Sequence, residues 1–115
     1  MRMKKLLLLF LLLPLTAKAD YWVQKANVGG LNRADATGFS INGKGYMGTG
    51  YSGTYQSDWW EYDPATDSWT QKASYPGGGI VEAVSFAIGA YGYVVASPAS
   101  NDVYRYDPAS NTWTA

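Results

Sequence analysis

Two residue types are missing from this 115-residue chain altogether: it contains no cysteine and no histidine. Without cysteine there can be no disulfide, no thiolate nucleophile and no thiolate zinc site, so the fold must rest on hydrophobic packing. Without histidine, Ser-His-Asp triads, Cys-His dyads, imidazole-rich zinc sites and histidine-ligated copper each lose an essential member. Carboxylate chemistry is the main catalytic option that remains.

Long apolar runs are also scarce. One occurs, from Leu6 to Leu15, behind the basic residues Arg2, Lys4 and Lys5 and ahead of Ala17-Lys18-Ala19. That run is about half of the roughly 20 residues a helix needs to cross a bilayer. Its charge pattern and small-residue exit are those of a cleavable signal peptide. We therefore expect residues 1–19 to be removed, the mature chain to begin at Asp20, and the product to be exported to the periplasm or the extracellular space with no stable membrane anchor. A lipid anchor would require a cysteine after the cleavage site. Past residue 19, five basic residues remain against nine acidic ones, a formal charge of −4. A phosphate backbone needs clustered Lys and Arg, so nucleic acid is not an expected partner.

What the chain does have is an internal repeat. Tyr62-Asp63-Pro64-Ala65-Thr66-Asp67-Ser68-Trp69 returns as Tyr106-Asp107-Pro108-Ala109-Ser110-Asn111-Thr112-Trp113 at an offset of 44. Upstream, Trp22-Val23-Gln24-Lys25-Ala26 matches Trp69-Thr70-Gln71-Lys72-Ala73 at an offset of 47, and Phe39-Ser40-Ile41 matches Phe86-Ala87-Ile88 likewise. The change of offset confines a length difference to one segment, Gly50 to Asp58 against Ser97 to Asp102, which marks that segment as a loop.

Each repeat reads as four short strands. Strand a covers about 36–41, and Asn42-Gly43 supplies the positive φ angles of a tight hairpin. Strand b follows over about 44–49, and the aromatic-rich strand c over 58–62. Asp63-Pro64 opens a turn in which Asp67 is expected to bond its own backbone, and strand d starts near Ser68-Trp69. The second copy runs in the same order from about Val81. Polar and apolar residues alternate poorly along these strands, as expected of sheets covered on both faces.

Four-stranded units of this length with a recurrent aromatic signature are propeller blades. The chain resembles the kelch repeats of exported bacterial proteins, whose signature sets a tyrosine ahead of a tryptophan with six residues between them, downstream of a glycine doublet. Tyr62 with Trp69 and Tyr106 with Trp113 keep that spacing. The doublet departs from the pattern, as Gly48-Thr49-Gly50 in one copy and Val95-Ala96-Ser97 in the other. The resemblance implies an all-β protein of the galactose-oxidase-like propeller superfamily. Residues 20–33 would hold an opening strand d and its loop, 34–76 a first blade, and 77–115 a second blade truncated in its strand d.

Kelch propellers close with about six blades, and here there are about two. We expect either the N-terminal portion of a longer propeller or, if the short chain is complete, a homo-oligomer in which each opening strand completes a neighbour's blade.

Aromatics repeated at one place in every blade, Tyr62, Trp69, Tyr106 and Trp113, are expected to pack between blades. Trp59 and Trp60 should point to opposite faces of strand c and both pack against adjacent blades. Asp63, Asp107, Asp58 and Asp102 recur in both copies and are read as turn and strand-start residues, because one active site needs one instance of each group. The candidate ligand surface is the rim formed by the b–c and d–a loops, with Arg33, Asp35, Tyr51, Tyr55, Tyr75 and Glu82. No catalytic, cofactor-binding or metal-ligating set is expected. The leading reading is a non-enzymatic binding or scaffold module for a protein or glycan. The alternatives are part of a carbohydrate-active enzyme resembling the sialic acid mutarotases, with its catalytic residues in other blades, and a self-assembling two-blade unit.

Overall fold

A computed structural model describes residues 20–96 and 101–115. The expected leader, residues 1–19, lies outside the described residues, as does part of the shorter b–c loop, residues 97–100. All eight strands found among the described residues fall in two sheets. The first is an antiparallel meander of β1 (Thr37–Ile41), β2 (Lys44–Gly48), β3 (Trp59–Asp63) and β4 (Ser68–Lys72). The second repeats it with β5 (Val84–Ile88), β6 (Tyr91–Val95), β7 (Val103–Asp107) and the short β8 (Thr112–Thr114). The expected strand order and both copies are present.

The turns follow from local chemistry. Asn42 and Gly43 adopt φ of 50° and 76°, the double positive-φ turn that two-residue hairpins favour. Between β3 and β4, the Asp63 carboxylate accepts the Ala65 N–H at 2.9 Å, and Asp107 does the same for Ala109 at 2.9 Å. Asp67 departs from expectation. Its carboxylate does not bond its own backbone but accepts the Ala26 N–H at 3.0 Å and the Tyr62 hydroxyl at 2.7 Å. The reason is that Asp67 and Asn111 stand at positive φ, 48° and 53°, which turns their side chains toward the preceding element.

The degenerate glycine signature has a packing explanation. Gly48 pairs with Trp59 across β2 and β3, and a Cβ at Gly48 would overlap the Trp59 ring and the Asp58 carbonyl. In the second sheet the same rung is Val95 opposite Val103. A small and a large residue have been exchanged for two middling ones, so the rung keeps its volume and the pairing survives.

The core lies between the sheets. One face of the first sheet carries Phe39, Ile41, Tyr46 and Trp59, and the facing side of the second carries Tyr106 and Trp113. Trp59 and Tyr106 are fully buried, and Trp59 stands edge-on to Trp113 with ring centroids 5.2 Å apart. Burying an aromatic of this kind contributes about 1.5–3 kcal/mol. Close approach of the sheets depends on Gly92, where any Cβ would overlap the Phe39 ring. Polar stitching accompanies it: Thr37 bonds the Ser85 hydroxyl at 2.7 Å, and Ser85 in turn donates to the Gly38 carbonyl at 2.7 Å.

Trp59 therefore packs between sheets as expected, whereas its neighbour does not. Trp60 points to the other side, where its indole N–H donates to Asp58 at 2.7 Å and its ring lies against Gly29 of the opening segment. Tyr21–Ala26, where Trp22 is 101% exposed, forms no strand and pairs with neither sheet. Its end is nonetheless held. Ala26 is bound by Asp67 and by the Trp69 indole N–H, which donates to the Ala26 carbonyl at 2.8 Å. The second sheet repeats this clasp on the end of the first: Asn111 accepts the Ala73 N–H at 2.9 Å, Tyr106 donates to Asn111 at 2.9 Å, and Trp113 donates to the Ala73 carbonyl at 2.8 Å.

Candidate functional site

The b–c loop after β2 and the two segments that precede β1 and β5 meet on one rim and are sewn together by backbone bonds. Tyr51 exchanges hydrogen bonds with Ala34 at 2.9 and 3.0 Å. Gly50 donates to the Ile80 carbonyl at 2.8 Å, and Glu82 to the Asp35 carbonyl at 3.2 Å. Gly50 sits at φ 95°, and a Cβ there would crowd the Ala34 carbonyl, so the loop can close on its neighbour only with glycine. The result is a loop cluster held on a sheet scaffold, the arrangement from which binding surfaces are commonly made.

Arg33 anchors the rim from below. Its guanidinium forks onto both carboxylate oxygens of Asp58, with Nη2 at 2.6 Å, and also donates to the carbonyls of Thr49 at 3.1 Å and Leu31 at 3.2 Å. The Arg33 side chain is 3% exposed. The hydrogen bonds from Arg33 hold the Asp58 carboxyl below the usual carboxylate range, against the opposing effect of burial. Bidentate geometry of this kind fixes orientation as well as charge.

The six rim candidates thus divide. Tyr51 and Tyr55 are 45% and 64% exposed, bridge one another across the loop, and set their rings edge-to-face at 5.5 Å. Asp35 and Glu82 are exposed at the same rim. Arg33 and Tyr75 are corrected: neither side chain is exposed at the rim. Arg33 is satisfied inside by Asp58, and Tyr75 is 2% exposed, packed edge-on against Tyr104 and Trp113 at 5.2 and 5.4 Å. Burial pushes the Tyr75 phenol up, and its hydroxyl has no hydrogen-bond partner among the described residues.

Asp35 and Glu82 also prove to be one repeated position. They are 47 residues apart, both acidic and both at positive φ, 56° and 55°. That equivalence was open to view in the sequence, since the offset that pairs Phe39 with Phe86 pairs them too. Their shared turn conformation gives each a structural reason to exist beside any binding role.

A second cluster is absent from the rim candidates. Glu61 on β3 accepts Lys44 at 3.0 Å and the Tyr46 hydroxyl at 2.7 Å, with Lys72 at 3.4 Å. Burial works to raise the Glu61 carboxyl, and these donors outweigh it to lower it. Burial and the bond to Glu61 raise Tyr46, while burial pushes Tyr106 up to about 12. The sequence signal was a break in the repeat: Glu61 corresponds to Arg105 and Lys44 to Tyr91. Both Glu61 oxygens are engaged, which makes this an internal pin between strands. The repeat-signature residues are structural as expected, with Tyr106 and Trp113 in the core and Tyr62 against Trp69 at 5.0 Å.

No family model and no curated protein matches the chain. It is similar to the solved structure of YjhT, at 30% sequence identity and a TM-score of 0.60, over 73% of this chain. The chain spans 28% of the length of that protein. Together with the two meanders, the likeness identifies the fold as all-β, with two successive four-stranded propeller blades.

Proposed function

We propose that this chain is part of an exported kelch-type propeller that binds a protein or glycan through its loop rim and performs no chemistry of its own. The observation that carries the reading is the Tyr51–Tyr55 pair: two exposed rings fixed edge-to-face on a loop that backbone bonds and the buried Arg33–Asp58 fork hold still. Tyrosine offers apolar area and a hydroxyl at small entropic cost, and here the loop is ordered before the ligand arrives. Asp35 and Glu82 flank the pair with acceptors for sugar hydroxyls or for basic side chains.

Arrays of glycans and of exported proteins, followed by calorimetry on any hit, test this reading. Tyr51→Ala or Tyr55→Ala is expected to weaken binding at least about tenfold, equivalent to ~1.4 kcal/mol, while the sheets stay folded by circular dichroism. Absence of any ligand, or a ligand indifferent to both substitutions, would overturn it. The second reading, part of a carbohydrate-active enzyme resembling the sialic acid mutarotases with its catalytic residues in other blades, draws support from the likeness to YjhT. Turnover of a sialic acid anomer by the complete gene product, followed by NMR, would replace the binding reading with that one.

A further inference from the structure

The three segments that make the rim are poor in positive charge. Residues 27–36, 49–58 and 73–83 hold three acids, Asp35, Asp58 and Glu82, and one base, Arg33. That base is engaged by Asp58 beneath the surface, its side chain 3% exposed. Asp35 and Glu82 are exposed and, among the described residues, belong to no ion pair. Away from the rim, Lys44 and Lys72 are held by Glu61, and Arg105 lies over the Tyr91 ring at 4.6 Å. The rim therefore presents two negative charges with no counterion of their own.

Backbone contacts tie each of these acids to one of the two exposed tyrosines. Tyr51 exchanges hydrogen bonds with Ala34, the residue before Asp35. Tyr55 lies on Gly79, where a Cβ would overlap its carbonyl oxygen and its own Cβ, and Glu82 follows three residues later. The Glu82 N–H donates to the Asp35 carbonyl at 3.2 Å, which joins the two halves. A cation set among these groups is attracted by the tyrosine ring faces and by the formal charges together. An anionic ligand is repelled by both carboxylates, and a neutral sugar makes no use of their charge.

Resting on the rim reading above, we propose that the ligand is a peptide segment of a partner protein carrying lysine or arginine, and that Asp35 and Glu82 select it. Charge complementarity names this occupant. Carboxylates on two successive blades suit a ligand with more than one cation along an extended chain, which a polypeptide supplies. The apolar stems of its basic side chains lie on Tyr51 and Tyr55 while their charged heads reach the acids. Rim charges of this kind act chiefly on association rate and on salt dependence.

A hexapeptide library, with one position fixed as lysine, serine or glutamate and the others varied, tests this on the complete gene product. Pools fixed as lysine should be retained about two- to fivefold better than those fixed as serine, and glutamate pools least. For a peptide taken from the lysine pool, Asp35→Asn and Glu82→Gln should each weaken binding about two- to fivefold and flatten its salt dependence. Both substitutions keep the side-chain shape, and asparagine tolerates the φ of 56° found at Asp35, so thermal melts should stay in place. Tyr51→Ala should weaken the same peptide about tenfold. A library without a lysine preference overturns the proposal, as does a lysine peptide indifferent to both neutral variants. A neutral glycan that depends on Tyr51 and Tyr55 but not on Asp35 or Glu82 overturns the peptide assignment and leaves the rim reading standing. Binding that ignores Tyr51→Ala and Tyr55→Ala removes the rim reading itself.

Discussion

Ile41 and Ile88 occupy the same place in two copies of one sheet, 47 residues apart, yet the first is 4% exposed and the second 63%. Their strands have the same length, the same partner strand and the same register, Ile41 opposite Lys44 and Ile88 opposite Tyr91. What differs is the neighbour: the first sheet has the second laid on this face, and among the described residues the second has nothing there. Local sequence therefore decides strand and register, whereas burial belongs to the contact between blades. Repeat proteins divide their stability in this way, into a term for each unit and a term for each junction.

The largest effect expected from this contrast is at the Trp59 position. Trp59→Ala should cost about 3–5 kcal/mol, whereas Val103→Ala at the equivalent place should cost less than about 1 kcal/mol. Chemical denaturation of both variants measures the difference; equal losses would break the comparison.

Next comes the charge that one copy has and the other lacks. Arg33 corresponds to Ile80, so Arg33→Ile writes the second copy's residue into the first. The substitution should cost about 2–3 kcal/mol at neutral pH, because it leaves Asp58 half-buried without its cation. The folded Asp58 carboxyl lies below its ordinary value. Its contribution is therefore complete above the unfolded value of about 3.9 and lost as pH falls through the depressed folded value. Thermal melts of the two proteins should converge as pH falls through that range, and a gap unchanged in acid would count against the fork.

The smallest effect concerns glycine. Gly92→Ala should destabilise by about 1–2 kcal/mol through overlap with Phe39, while Gly45→Ala should change stability by less than about 0.5 kcal/mol. A calorimetric scan of each decides whether the junction or the strand demands glycine.

Much of this architecture was legible in the residues. The two offsets placed the strands, Asn42-Gly43 placed a hairpin, and the recurrence of Asp63 and Asp107 marked turn residues that indeed bond their own backbone. The rim was legible only in part. Tyr51 and Tyr55 are exposed there as expected, but Arg33 and Tyr75 turned inward, because a side chain's direction at a loop end depends on partners distant in sequence: Asp58 for one, Tyr104 and Trp113 for the other. Likewise no local signal said that Asp67 would reach back to Ala26, a bond spanning 41 residues.

That reach gives the chain a direction of growth. In both clasps the catching groups, a tyrosine, an Asp or Asn and a tryptophan, belong to the later segment, and the group caught is the backbone of an earlier one. As the polypeptide leaves the ribosome, each new sheet arrives with its hooks at a backbone segment that is already made and needs nothing still to be synthesised. The order of translation is thus also an order in which the junctions can close.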